Sequence, residues 1–184
     1  ILARTTGRTG VECMREVFGK PLPEAECEAL VAEKEAIYRE LFAPVFAEVA
    51  GFRSFARAAH ARGLKIGVGT AGDRHNIAFA MARLGMEPAP AATVGGDEGL
   101  SGKPTPAIFL EVARRLAVAP ERCIVFEDAP FGIEAARRAG MRAVAVCSTH
   151  SPAELAGAHV IATVRDYEEL ATTNFLETLD VATA

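Results

Sequence analysis

Two adjacent carboxylates, Glu127-Asp128, follow the apolar run Cys123-Ile-Val-Phe126 without a gap. Neighbouring carboxylates repel, so the doublet is costly unless a cation or backbone N–H groups lie beside it. Magnesium takes a few carboxylate oxygens and fills its shell with water and substrate phosphate. One reading is therefore a Mg²⁺ site; the other is a solvated aspartate capping the helix that opens at Pro130. Lys103 lies in Ser101-Gly-Lys-Pro-Thr-Pro106. Glycine and proline restrict that loop and could hold the ammonium toward a phosphate as a point charge. A lysine facing a phosphate in this way could be lost for less than about 1 kcal/mol of stability; taken alone, Lys103 also reads as a surface loop lysine. Thr70 ends the run Ile66-Gly-Val-Gly-Thr70, and Ala71 and Gly72 lead into a helix. A hydroxyl with backbone N–H groups at a helix N-terminus makes an anion site, although an ordinary strand-to-helix turn has the same residues.

These residues need strands to carry them. Alternating elements begin near residue 52: a helix from Phe52 to Arg62 closed by Gly63, then a strand from Leu64 to Thr70. A helix from Arg74 to Leu84 and a short strand, Ala92-Thr-Val94, come next. Thr105 is the expected N-cap of a helix reaching Ala117, with Pro106 at its first position. The strand Cys123 to Phe126, the helix Pro130 to Ala139 and the strand Arg142 to Cys147 complete the clear pattern. Such units imply a parallel sheet with helices on both faces, and ligands bind outside the carboxyl ends of its strands. Thr70 and Glu127-Asp128 stand there. The first third reads as helix only. Thr9-Gly-Val-Glu12 fits a capping box, with Gly19 ending its helix. A longer helix follows Pro23, with Leu30, Ile37 and Leu41 on one face and Pro44 as an interruption. The expected division is a helical lobe over residues 1–48 and an α/β core over 49–184.

Composition narrows the partners. Half of the 184 residues are hydrophobic, enough for a real core, and the formal net charge is −4. That balance carries no basic nucleic-acid footprint. The apolar runs are too short for a transmembrane helix, and no stretch has the layout of a signal peptide. Cys13, Cys27, Cys123 and Cys147 form no metal-binding spacing. They read as buried, reduced thiols of a cytoplasmic protein. His60, His150 and His159 have no companions suggesting a triad or a metal site. Oligomeric state is not readable from these residues; a monomer is the default expectation.

Order and spacing add a resemblance. Val68-Gly-Thr-Ala-Gly72, then Lys103-Pro104, then Ile124-Val-Phe-Glu-Asp-Ala-Pro-Phe-Gly-Ile133 resemble the second, third and fourth motifs of the haloacid dehalogenase superfamily. Glu134-Ala-Ala-Arg-Arg-Ala-Gly140 continues the likeness, and the helical lobe resembles the cap of its β-phosphoglucomutase-like branch. The resemblance implies a Rossmann-like α/β core with a small helical cap. It also implies Mg²⁺-dependent phosphoryl transfer to water from a small phosphorylated metabolite such as a sugar phosphate, through an aspartyl-phosphate. Thr70 would hydrogen-bond the phosphoryl group, Lys103 would neutralise its charge, and Asp128 with Glu127 would hold Mg²⁺ directly or through water. Arg8, in Gly7-Arg-Thr9, would meet the distal end of the substrate, and Lys34 would face the cleft from the cap. Asp73 and His75 would lie near the leaving group. Both Arg8 and Lys34 otherwise read as solvated charges, and His75 as a surface histidine. The family's Asp-x-Asp motif, whose first Asp is the nucleophile, occurs nowhere in the chain. The chain is therefore expected to lack a first strand and, by itself, to be inactive. A mutase, a dehalogenase that needs the same Asp, and an inactive phosphate- or partner-binding module are the alternatives.

Overall fold

A computed structural model describes residues 10–19 and 22–179; Arg8 and the Thr9 cap lie outside them. Helix α1 spans Gly10–Phe18, and Gly19 (φ +62°) ends it in the left-handed conformation that glycine adopts without a Cβ clash. Helix α2, Glu24–Phe42, opens after Pro23 and tightens into a 3₁₀ turn, Ala43–Val45, at Pro44. The alternating elements follow as α3 (Phe52–Ala61), β1 (Gly67–Gly69), α4 (Arg74–Leu84) and β2 (Ala92–Val94). Next come α5 (Ala107–Leu116), β3 (Ile124–Glu127), α6 (Pro130–Arg138), β4 (Arg142–Val146), β5 (Val160–Val164) and α7 (Tyr167–Thr172).

All strand pairs are parallel. They form two ladders, β1 beside β2 and β3-β4-β5 with β4 central. Alternation along β4 builds the layers. Ala143 and Ala145 face one helix layer with Ile108 and Phe109 of α5 and Ile133 and Ala136 of α6. Val144 and Val146 face the other, with Phe55 of α3, Leu170 of α7 and Phe175. The first cluster also contains Val94 of β2 and Val125 of β3, so one apolar core spans both ladders. Helix α5 reaches β1 closely because Gly67 has no side chain: a Cβ there would lie 2.4 Å from Val112 Cγ1.

Several expectations need correction. The first ladder strand is three residues, not Leu64 to Thr70. Thr105 does not cap α5; its hydroxyl donates back to the carbonyls of Ser101 and Gly102, and Pro106 occupies the N-cap position. Of the cysteines, Cys27 alone is buried, although none of the four is in a disulfide. The apolar stripe of α2 does not face inward: Ile37 and Leu41 are 48% and 71% exposed. The face that makes contact carries Cys27, Val31, Glu35 and Arg39, spaced one helical turn apart. Apolar periodicity cannot see a contact face half made of charges. Among the described residues no helix is long and apolar enough to cross a membrane.

Candidate active site

The carboxyl ends of β1, β3 and β4 supply the polar groups. After β1, Thr70 takes its N–H to Val94 O at 3.0 Å, which extends the ladder contact by one residue. Its Oγ1 accepts the N–H of Gly72 at 3.1 Å. Gly72 N–H is therefore used inside the turn, and the Thr70 hydroxyl proton is left to donate outward. A Cβ on Gly96 would lie 2.2 Å from Ala71 O, so the turn is backed by a loop that only glycine fits. Asp73 caps α4 by accepting Asn76 N–H at 2.8 Å. His75 is exposed on the first turn of α4.

Lys103 and Glu127 meet. The ammonium contacts Glu127 Oε1, each side chain keeps 9% of its surface exposed, and Lys103 Nζ stands 4.7 Å from the centre of the Phe109 ring. The surface reading of Lys103 fails for that reason. Glu127 Oε2 accepts the N–H groups of Asp128 (2.8 Å) and Ala129 (3.2 Å). Both oxygens of Glu127 are thus occupied by the protein. Gly132 makes room for them, because a Cβ there would lie 1.9 Å from Oε1. Lys103 also lines a small cleft with Ala71, Gly95, Gly96 and Gly102, beside the β1 turn.

Asp128 does not cap α6, whose N-cap is Ala129 without a side-chain bond. Its carboxylate turns to the loop after β4. Oδ2 accepts from Thr149 Oγ1 at 2.8 Å and, at the limit, from Ser148 Oγ at 3.5 Å. His150 Nδ1 lies 2.9 Å from Asp128 O. His150 therefore has a companion that its sequence neighbours did not reveal. Oδ1 has no protein partner among the described residues. Tyr167 stands close by: burial, then the Asp128 and Glu127 carboxylates, push its phenol pKa up.

The donor set suits a hard cation only in part. One carboxylate oxygen faces outward, and no group of three His, Cys, Asp or Glu residues is assembled among the described residues. Magnesium keeps several waters and binds through one or two carboxylates plus substrate oxygens, so Asp128 fits as one ligand among others. From the helical lobe, Lys34 pairs with Glu35. Glu35 Oε2 accepts Asn76 Nδ2 (2.6 Å), and Arg39 Nη1 donates to Asn76 Oδ1 (2.8 Å) and lies 4.0 Å from Asp73 Oδ1. This chain ties α2 to the first turn of α4, beside the Thr70 turn. Sequence reading missed Glu35, Arg39, Asn76, Ser148, Thr149 and Tyr167. For Ser148 and Thr149 a signal existed, since both are hydroxyls just past a strand's carboxyl end.

The chain combines a parallel α/β fold with a hydroxyl-bearing turn after β1, a lysine with little exposed surface and a carboxylate past β3. The sequence matches the haloacid dehalogenase-like hydrolases over residues 6–140, and the chain belongs to that family. It is 46% identical over 79 residues to the fructose-1-phosphate phosphatase YqaB of Escherichia coli, covering 43% of this chain and 42% of that protein. Against the phosphorylated carbohydrates phosphatase of Thermotoga maritima it is 33% identical over 112 residues, 61% of this chain and 50% of the relative. The crystal structure of β-phosphoglucomutase from Clostridium difficile superposes with TM-score 0.79 at 25% identity, covering 93% of this chain and 77% of that one. The chain spans about half the length, or less, of the curated relatives named here.

Proposed function

We propose that the protein hydrolyses small phosphomonoesters, with sugar phosphates as the substrate class, in a Mg²⁺-dependent reaction through an aspartyl-phosphate. The observation that carries this reading is that the Thr70 hydroxyl stands just past β1, the Lys103 ammonium bonds Glu127 at the end of β3 and shares a small cleft with Ala71, and the Asp128 carboxylate follows Glu127 directly. Thr70 donates to a phosphoryl oxygen, and the Ala71 turn adds a helix N-terminus. Lys103, held between Glu127 and the Phe109 ring, supplies positive charge from a site largely closed to water, where charge stabilisation is strongest. Asp128 offers Oδ1 to the cation, and Glu127 acts on it through water. Magnesium, when bound, would neutralise charge on the phosphoryl oxygens. The nucleophile is an aspartate that these 184 residues do not contain. Lys34, Asp73 and His75 are proposed to face the substrate from the lobe side, and Arg8 to meet its distal end. The partner is a small metabolite rather than nucleic acid or membrane, and the protein acts as a cytoplasmic monomer.

The test is release of inorganic phosphate from a panel of sugar phosphates by the intact protein. Mg²⁺-dependent turnover that is lost in Asp128→Asn and Thr70→Val is expected. No turnover with any phosphomonoester in the presence of Mg²⁺ would sink the reading. The likeness to β-phosphoglucomutase supports a second reading, an isomerase. Product analysis separates the two, since an isomerase returns a sugar phosphate in place of free phosphate.

A further inference from the structure

We propose that Thr149 is a positioning residue that holds Asp128 in a one-oxygen binding mode and so sets the preference for Mg²⁺ over Ca²⁺. The inference rests on the cation reading above. Thr149 Oγ1 lies 2.8 Å from Asp128 Oδ2 and 3.1 Å from Asp128 O. A hydroxyl has one proton to give, and the shorter contact to a charged oxygen takes it. His150 Nδ1 lies within reach of both Asp128 O (2.9 Å) and Thr149 Oγ1 (3.0 Å), so an N–H there holds the loop from the other side. Ser148 Oγ, 3.5 Å from the same Oδ2, reinforces the choice of oxygen.

The consequence is a count of available oxygens. Glu127 offers none for direct ligation, because Lys103 and two backbone N–H groups already bond both of its oxygens. Asp128 offers Oδ1 alone. Calcium takes more oxygens at longer distances and often binds a carboxylate through both, whereas magnesium demands octahedral geometry and takes one oxygen per carboxylate. A hydroxyl seated on Oδ2 hinders the two-oxygen mode and fixes the direction of Oδ1. Partners that orient a ligand in this way affect metal affinity about 10–100-fold.

Calorimetric titration of Mg²⁺, and separately of Ca²⁺, into the intact protein tests this, with Thr149→Val, Thr149→Ser and Asp128→Asn alongside the natural sequence. Thr149 is exposed, so folding should survive, and melting temperatures check it. Thr149→Val should bind Mg²⁺ about tenfold or more weakly while losing less for Ca²⁺. Thr149→Ser, which keeps the hydroxyl, should behave as the natural protein. If Asp128→Asn loses Mg²⁺ but Thr149→Val keeps full affinity, or weakens equally for both ions, the positioning role is overturned and the cation reading stands. If the natural protein takes up no Mg²⁺, or Asp128→Asn binds it undiminished, both fall together.

Discussion

Lys103 and Glu127 keep so little exposed surface that their charges depend on each other. Removing one partner of such a pair leaves a buried charge uncompensated, at a cost of about 3–5 kcal/mol. Lys103→Met should therefore lower the denaturant midpoint markedly, well beyond the sub-kcal effect expected of a surface lysine. The double variant with Glu127→Gln should lose less than the sum of the two singles, because the second change removes the orphaned charge. An unchanged midpoint in Lys103→Met would return this lysine to the surface. Gly132 belongs to the same arrangement. The added methyl of Gly132→Ala would land on the Glu127 carboxylate, 1.9 Å from Oε1. Overpacking of this kind costs about 1–3 kcal/mol. A crystal structure of the variant should show Glu127 displaced; an unmoved Glu127 would mean that α6 shifts instead.

Helix α4 is where elements meet. Its N-terminus carries the cap, the Thr70 turn and the contacts from α2. Asp73→Ala should cost about 1 kcal/mol through loss of the cap, read as a shift in thermal unfolding. Asn76 has both ends of its amide engaged by α2, one by Arg39 and one by Glu35. Arg39→Ala and Asn76→Ala should therefore be non-additive by about 0.5 kcal/mol or more. Strict additivity in that cycle would show that the aromatic contacts of Phe42 and Phe46 with Phe79 hold α2 to α4 without help from the polar chain. The sequence shows Asp73 ahead of a helix plainly enough. The pairing of Asn76 with residues some forty positions earlier has no local signature.

Across the whole molecule, surface electrostatics shape the acid response. Arg114 and Arg115 hold the Glu111 carboxyl down to about 2, and Arg137 and Arg138 do the same for Glu134, in each case by hydrogen bonds first. An unfolded glutamate titrates near about 4.3. A folded pKa below that value contributes stability that is present above about pH 4.3 and is lost as pH falls toward 2. The melting temperature should drop over that window, and Glu111→Gln with Glu134→Gln should flatten the drop. High salt should reduce the difference, since both ion pairs lie at the surface. An identical acid profile in the double variant would remove these pairs from the account. The two ladders are also a property of the whole: a shared apolar core connects them, and Lys103, from the loop after β2, reaches Glu127 at the end of β3.

What the sequence by itself determined is what neighbouring residues decide. The alternation of helices and strands from residue 52 and the rule that ligands bind at strand carboxyl ends singled out Thr70 and Glu127-Asp128, and the restricted Gly-Lys-Pro loop singled out Lys103. Only the tertiary structure decided what each of them does with its partners. Glu127 and Asp128 are adjacent in sequence and alike in chemistry, yet one is consumed by Lys103 and backbone N–H groups while the other keeps an open oxygen because Thr149 holds its twin. Lys103 and Thr149 lie some twenty residues away along the chain, and only packing brings them within hydrogen-bonding distance. A residue's chemical type is local, but how many of its lone pairs remain for a ligand depends on every element folded against it.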